Sequence, residues 1–148
     1  MPAKKKNEYP VIISVTGISS ADGEEPGEQV RMLSTGICRK TADGYELRYS
    51  ENDPESGESS SVVIGMSPGT VFMTRSGPYA TDMVFKKGSR YEGAYNTPYG
   101  AFNMGVYTSG AFWENDETYG KISVRYQLEM QNRFITVHDL NIVFTRNE

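Results

Sequence analysis

A chain of 148 residues has the size of one domain and should bury roughly two thirds of the surface its unfolded form exposes, so it can hold a core without a disulfide or a metal. Its single cysteine, Cys38, excludes an intrachain disulfide, and no Cys/His cluster offers the ligands of a structural zinc site; both fit a reducing, cytoplasmic compartment. With 15 basic and 19 acidic residues the net charge is −4, which gives no global attraction to nucleic acid.

The only compact basic run, Lys4-Lys5-Lys6, falls in residues 1–8, expected to be a solvated, disordered tail ahead of one domain over residues 9–148. The tail leads into the alternating segment Val11 to Ile18 instead of an apolar stretch with a cleavage site, which argues against a signal peptide. Nowhere do about 18 apolar residues run together as a membrane-spanning helix requires, and the longer lipid-facing strands of a membrane barrel are not evident. Neither a membrane nor a nucleic acid is expected as a partner.

Val11, Ile13 and Val15 alternate with Ile12, Ser14 and Thr16, which predicts a first strand from Tyr9. The polar stretch from Ser19 to Gln29 reads as a loop. A second strand is expected over Val30 to Arg39, turning at Asp43-Gly44, where Asp-Gly suits the positive-φ positions of a tight hairpin. Tyr45, Leu47 and Tyr49 then alternate with Glu46, Arg48 and Ser50, one face apolar and one wet. After the polar break at residues 51–60 come short strands around Ser61 to Ile64, Thr70 to Arg75, up to Lys86, and Arg90 to Asn96. They are punctuated by Pro68-Gly69, Ser76-Gly77-Pro78 and Lys87-Gly88. No gap holds a helical stripe long enough for a crossover, so a meander is favoured over βαβ units.

Thr97-Pro98-Tyr99-Gly100 predicts a turn into a strand over Ala101 to Trp113, and Glu114 to Glu117 a polar connection. Ile122, Val124, Tyr126, Leu128 and Met130 share one face of the next strand, with Lys121, Ser123, Arg125, Gln127 and Glu129 on the other. Gln131-Asn132-Arg133 should reverse the chain into a last strand. There Ile135 and Val137 have the opposite parity to Leu140, Ile142 and Phe144, which a β-bulge around His138-Asp139 would reconcile. The pattern totals eight to ten strands without a long helix. An all-β antiparallel meander closed into a barrel is expected, because closure removes exposed edges; a β-sandwich or curved open sheet is the alternative.

Four segments carry a family resemblance: Tyr45 to Glu51 (YELRYSE), Arg75-Ser76-Gly77, Tyr91 to Gly100 (YEGAYNTPYG) and Gly120 to Leu128 (GKISVRYQL). In their order and spacing, over nearly the whole chain, they resemble the DUF1934 or YwiB-like family of uncharacterised bacterial proteins. The resemblance implies a lipocalin-like (calycin) β-barrel in a bacterial cytoplasmic protein. It implies no reaction and transfers no catalytic residue.

Eight of the 17 aromatic residues lie between Tyr91 and Tyr119. In a barrel they either fill the interior or line a mouth that takes a flat ligand. The ligand-contact candidates are Arg75, Tyr91, Tyr95, Tyr99, Phe102, Met104 and Trp113; an arginine pointing into the lumen would recognise an anion through paired donors. Methionines 66, 73, 83, 104 and 130 suit either an adaptable lumen or irregular core gaps. Arg125 takes the polar parity of a surface cation. His138, the only histidine, is the one side chain with an intrinsic pKa near neutrality and is expected in a turn, bulge or surface position. Cys38 reads as a small buried hydrophobe.

The acidic groups Asp22-Gly23-Glu24-Glu25 and Asp53-Pro54-Glu55 lack the ligand spacing of a calcium loop. No phosphate loop, dinucleotide turn, zinc motif or nucleophile elbow is present, so neither a cofactor nor a metal is expected. A cytoplasmic barrel that binds a small, partly apolar ligand is the leading reading. A protein-interaction or assembly module, acting through a protein partner or as a homodimer, comes second, and an enzyme using His138 with a remote carboxylate third.

Overall fold

The computed structural model describes residues 7–20, 27, 29–52 and 57–148, with the backbone alone at 134 and 135. Among them are ten strands: β1 (Glu8–Ser20), β2 (Gln29–Lys40), β3 (Tyr45–Asn52), β4 (Ser59–Ser67), β5 (Thr70–Ser76), β6 (Thr81–Phe85), β7 (Arg90–Thr97), β8 (Gly100–Asn115), β9 (Tyr119–Met130) and β10 (Arg133–Arg146). Each pairs antiparallel with its chain neighbours, and β1 pairs with β10 to close the barrel. Lys4-Lys5-Lys6 and the acidic groups beginning at Asp22 and Asp53 lie outside the described residues.

Alternation decides what faces inward. Val11 and Ile13 are buried with exposed Ile12 between them; Leu47 and Tyr49, Val62 and Ile64, Val71 and Met73, and Ile122, Val124 and Tyr126 repeat the pattern around the wall. Met66, Met73 and Met104 are buried in this core and Met83 and Met130 pack against it, so the methionines fill gaps between the branched side chains. The outer face carries ion pairs: Arg39 and Arg48 on Glu46, Arg90 on Glu92 and Glu129, and Arg125 on Asp139.

One rim is closed by side chains. There the Trp113 indole donates to the Ser67 carbonyl at 2.7 Å and meets the Tyr45 ring edge-on at 6.2 Å. The Tyr9 hydroxyl reaches the Asp116 carbonyl at 3.5 Å, and the Asn115 amide approaches the Cys38 sulfur at 3.7 Å. Burial pushes the Cys38 thiol up, away from the thiolate form. Asp116 shapes the adjoining turn by accepting from the Thr118 and Tyr119 amides at 2.8 and 2.9 Å.

Two expectations about turns and phase are corrected. Asp43-Gly44 forms no positive-φ hairpin turn: neither residue has a positive φ, and the Thr41 amide closes the loop on the Gly44 carbonyl at 2.9 Å. Glycine is needed at 44 for proximity, since a Cβ there would sit 1.7 Å from the Met66 carbonyl oxygen. The two-residue turn with both φ positive is instead Gln131-Asn132, at 53° and 64°. The bulge in β10 lies between Phe134 and Thr136, not at His138-Asp139. Past it, Leu140, Ile142 and Phe144 point inward in phase with His138 and Thr136, while Val137 takes the outer parity.

The ladders are unequal, and this opens the wall between β6 and β7. β6 and β7 share only the pair Thr81↔Tyr95. Among the described residues, β2 pairs with β3 from Gly36 to Lys40, while β1 runs beside β2 from Gln29 to Arg39.

Gly44→Ala should lower stability by about 1–3 kcal/mol, the cost of forcing a methyl group into occupied space. A Cβ at Gly17 would meet nothing within 4 Å, and its φ is not positive, so Gly17→Ala should stay within about 0.5 kcal/mol of the parent. Urea unfolding midpoints of the two variants check the difference.

Candidate functional site

The inward parity of β5 runs Val71, Met73, Arg75, so a guanidinium follows two buried apolar side chains into the barrel. Register places Arg75 in a row with Tyr49 and Val62 on one side and Thr81, Tyr95 and Phe102 on the other. Glu51, two residues beyond Tyr49 on the same face of β3, accepts a hydrogen bond from Arg75 Nη2 at 3.0 Å. The Arg75 side chain is 30% exposed, yet its Nε is buried and has no hydrogen-bond partner among the described residues.

The β6–β7 opening lies beside this arginine. A cleft of about 320 Å³ is lined there by Arg75, Thr81, Asp82, Tyr91 and Ala94 among others. Thr81 is buried, and its hydroxyl donates to the Ala94 carbonyl at 3.4 Å. Leaving a buried donor such as Arg75 Nε unpaired costs about 1–3 kcal/mol, a cost an acceptor brought into the cleft would relieve.

The phenols nearby stay protonated at neutral pH. Burial is the main cause that drives the Tyr49 pKa upward, reinforced by the Glu51 carboxylate and opposed by Arg75. Tyr126 is pushed up to about 12 by burial, with the Arg75 charge acting against the rise. Arg75 thus acts electrostatically on phenols of both β3 and β9.

A second cleft, of about 200 Å³, contains the residue that sequence reasoning placed elsewhere. His138 points inward and lines this cleft with Gly17, Val30, Tyr126 and Leu140. Its ring stacks on Tyr126, centroids 5.1 Å apart and planes 13° from parallel, and its Nε2 lies 2.5 Å from the Thr136 hydroxyl. Burial lowers the His138 pKa, with Asp139 opposing the shift. Asp139 is on the other face of the strand, where it holds Arg125 through both oxygens at 3.2 and 2.9 Å. It therefore does not orient the imidazole as a catalytic carboxylate would. The sequence hid the inward position of His138 because that position depends on where the β10 bulge falls.

The remaining candidates separate. Tyr91 lines the Arg75 cleft, Tyr95 packs beside it against Tyr79 at 6.2 Å between ring centroids, and Met104 is buried close enough for the Thr81 hydroxyl to reach its sulfur at 3.7 Å. Phe102 continues the Tyr95 row at the rim. Tyr99 is 88% exposed in the β7–β8 turn. Trp113 belongs to the closed rim at the other end. Glu51 and Thr81 were not singled out from the sequence; the alternation of YELRYSE already put Glu51 on the Tyr45, Leu47 and Tyr49 face, and that was the available signal.

His138 gives the protein a pH dependence of definite sign. Its native pKa is below the ordinary value of 6.5, so between the two values the unfolded chain binds a proton that the folded chain does not. Stability is therefore full above the unfolded pKa and falls as the pH drops below it. Urea midpoints should decline from about pH 7 to about pH 5.5, and His138→Gln, which leaves the chain without a histidine, should remove most of that decline.

Comparison with known proteins agrees with the geometry. The family model for the domain of unknown function DUF1934 matches residues 13–142. The chain is 24% identical over 139 residues to the uncharacterized beta-barrel protein YwiB of Bacillus subtilis (strain 168), a match that spans 94% of this chain and 95% of that protein. The crystal structure of the ywiB protein from Bacillus subtilis superposes with a TM-score of 0.85 at 22% identity, over 97% of this chain and 95% of the other. At that identity the superposition speaks for the fold alone. With the family model spanning most of its length, the chain belongs to the DUF1934 family of uncharacterised bacterial β-barrel proteins.

Proposed function

We propose that the protein is a binding protein for a small, partly apolar molecule, taken up in the cleft where β5, β6 and β7 meet. The observation that carries this reading is Arg75, a guanidinium on the inward face of an apolar barrel, beside an opening in the wall, with a buried Nε that no atom of the described residues satisfies. Clefts of roughly 300 Å³ are at the small end of ligand sites, so the ligand is small, and Tyr91 offers it an aromatic wall. The same reading includes the calycin kinship that the family resemblance implies and a cytoplasmic setting.

A second reading, self-association, is favoured by the outer face of β1 and β2. Ile12, Leu33 and Ile37 are 44%, 71% and 40% exposed and lie side by side on this face. A second copy laid against this face would cover these side chains.

Native mass spectrometry of freshly purified protein, with a denatured control for the chain mass, tests the first reading. The expected result is a reproducible noncovalent increment that disappears on denaturation and is lost in Arg75→Met. A bare chain in independent preparations that gains no mass from a small-molecule extract of the host would sink it. For the second reading, light scattering on a sizing column should give twice the chain mass, reduced to the monomer by Leu33→Lys; a monomeric parent protein rules it out.

A further inference from the structure

We infer that the ligand of the Arg75 cleft is an uncharged carboxamide or lactam on a small apolar body; this deepens, and rests on, the binding role proposed above. A lumen arginine by itself suggests an anion, but the surroundings of Arg75 change the sign of that expectation. Its charge is already balanced by Glu51 at 3.0 Å, and Asp82 lines the same cleft. An incoming carboxylate or phosphate would share one guanidinium with Glu51, whose like charge opposes it. A cation would have to settle against Arg75 itself, the only cationic residue lining the cleft. The charges present leave no net attraction for an ion of either sign at the depth of the guanidinium.

The hydrogen-bonding groups, in contrast, are specific. Arginine donates and never accepts, and of the Arg75 N–H groups only Nη2 has a partner among the described residues. The ligand atom that meets the guanidinium is therefore an acceptor. Thr81 complements it: its one hydroxyl hydrogen has the Ala94 carbonyl at 3.4 Å or the Met104 sulfur at 3.7 Å as acceptor, which leaves its oxygen lone pairs to accept a hydrogen bond from elsewhere. An acceptor for Arg75 next to a donor for Thr81 describes an amide edge. Tyr91 and the small side chain of Ala94, on the same wall, suit the apolar body.

The test uses benzamide, benzoate and benzylamine, which share a ring and differ in charge. Binding to the full-length protein is followed by the Arg75 Nε–H resonance in nitrogen–proton correlation spectra. Benzamide should bind about tenfold more tightly than either ion and should move that resonance. In Glu51→Gln, where the guanidinium charge is uncompensated, benzoate should overtake benzamide. Thr81→Val, which keeps the shape of the wall, should lose benzamide affinity while leaving acetophenone, an acceptor without the amide donor, unaffected. Benzoate or benzylamine bound as tightly as benzamide by the parent protein overturns the inference and leaves the binding role standing. So does an unchanged acid-to-amide order in Glu51→Gln. If no probe binds the parent protein or either variant, the binding role itself fails.

Discussion

The ladder between β1 and β10 is the constraint on which the rest of this molecule depends. It runs from Val11↔Arg146 to Ser20↔Val137 and joins the two ends of the described chain. A meander of ten strands left open would present two long edges of unpaired backbone groups; joining the first strand to the last pairs those groups internally. Closure also fixes the side of every residue. Once the sheet is curled on itself, a slip of one residue in any ladder would turn a row of buried side chains out to water and a row of charges inward. The apolar alternation and the closing ladder therefore support one another: neither Val11 nor Phe144 has a core to enter unless β1 meets β10.

A wall bent into so small a ring cannot remain regular, and the irregularities have identifiable causes. Bulges interrupt the register between Thr108 and Gly110 and between Phe134 and Thr136, each adding a residue on one strand and increasing its local twist. Glycines relieve crowding where aromatic rings lie over the sheet. A Cβ at Gly120 would meet the Phe144 ring at 2.1 Å, and one at Gly65 would meet the Phe72 ring at 1.9 Å; in both cases the ring covers the backbone that glycine leaves bare. The β6–β7 ladder is the thinnest of all, with the single pair Thr81↔Tyr95. The cleft beside Arg75 lies at this thin junction.

What the sequence revealed followed its periodicity. The run from Ile122 to Met130 reads unambiguously because a two-residue period maps directly onto inside and outside, and the glycine turns at 69, 88 and 100 all adopt the positive φ expected of such positions. The register failed to show wherever a single residue changed the phase. Ile135 and Val137 signalled that β10 contained a bulge, but pattern alone could not place it, and the error put His138 on the wrong face. Asp43-Gly44 misled for a different reason: glycine serves there to admit the Met66 carbonyl, a contact between strands that no local rule contains. Arg75 was visible as a candidate but not its partner. Charge pairing across β4 between Glu51 and Arg75 requires the register of two ladders, and composition does not supply it.

The Arg75–Glu51 pair also separates the requirements of folding from those of a site. A partly buried ion pair such as this one, with Arg75 30% and Glu51 24% exposed, is a poor means of gaining stability, because desolvation offsets much of the attraction. The opposite rim demonstrates what packing alone produces: Trp113, Tyr45 and Tyr9 cap it with rings, and the polar atoms of Trp113 and Tyr9 reach backbone carbonyls. At the Arg75 level the same inward row carries a guanidinium with a sealed, unpaired Nε and a carboxylate that cancels its charge. A fold that can close one end with aromatic side chains has no structural need for that arrangement at the other. A neutral, strongly hydrogen-bonding surface inside an otherwise apolar wall is what selective recognition of an uncharged polar group demands.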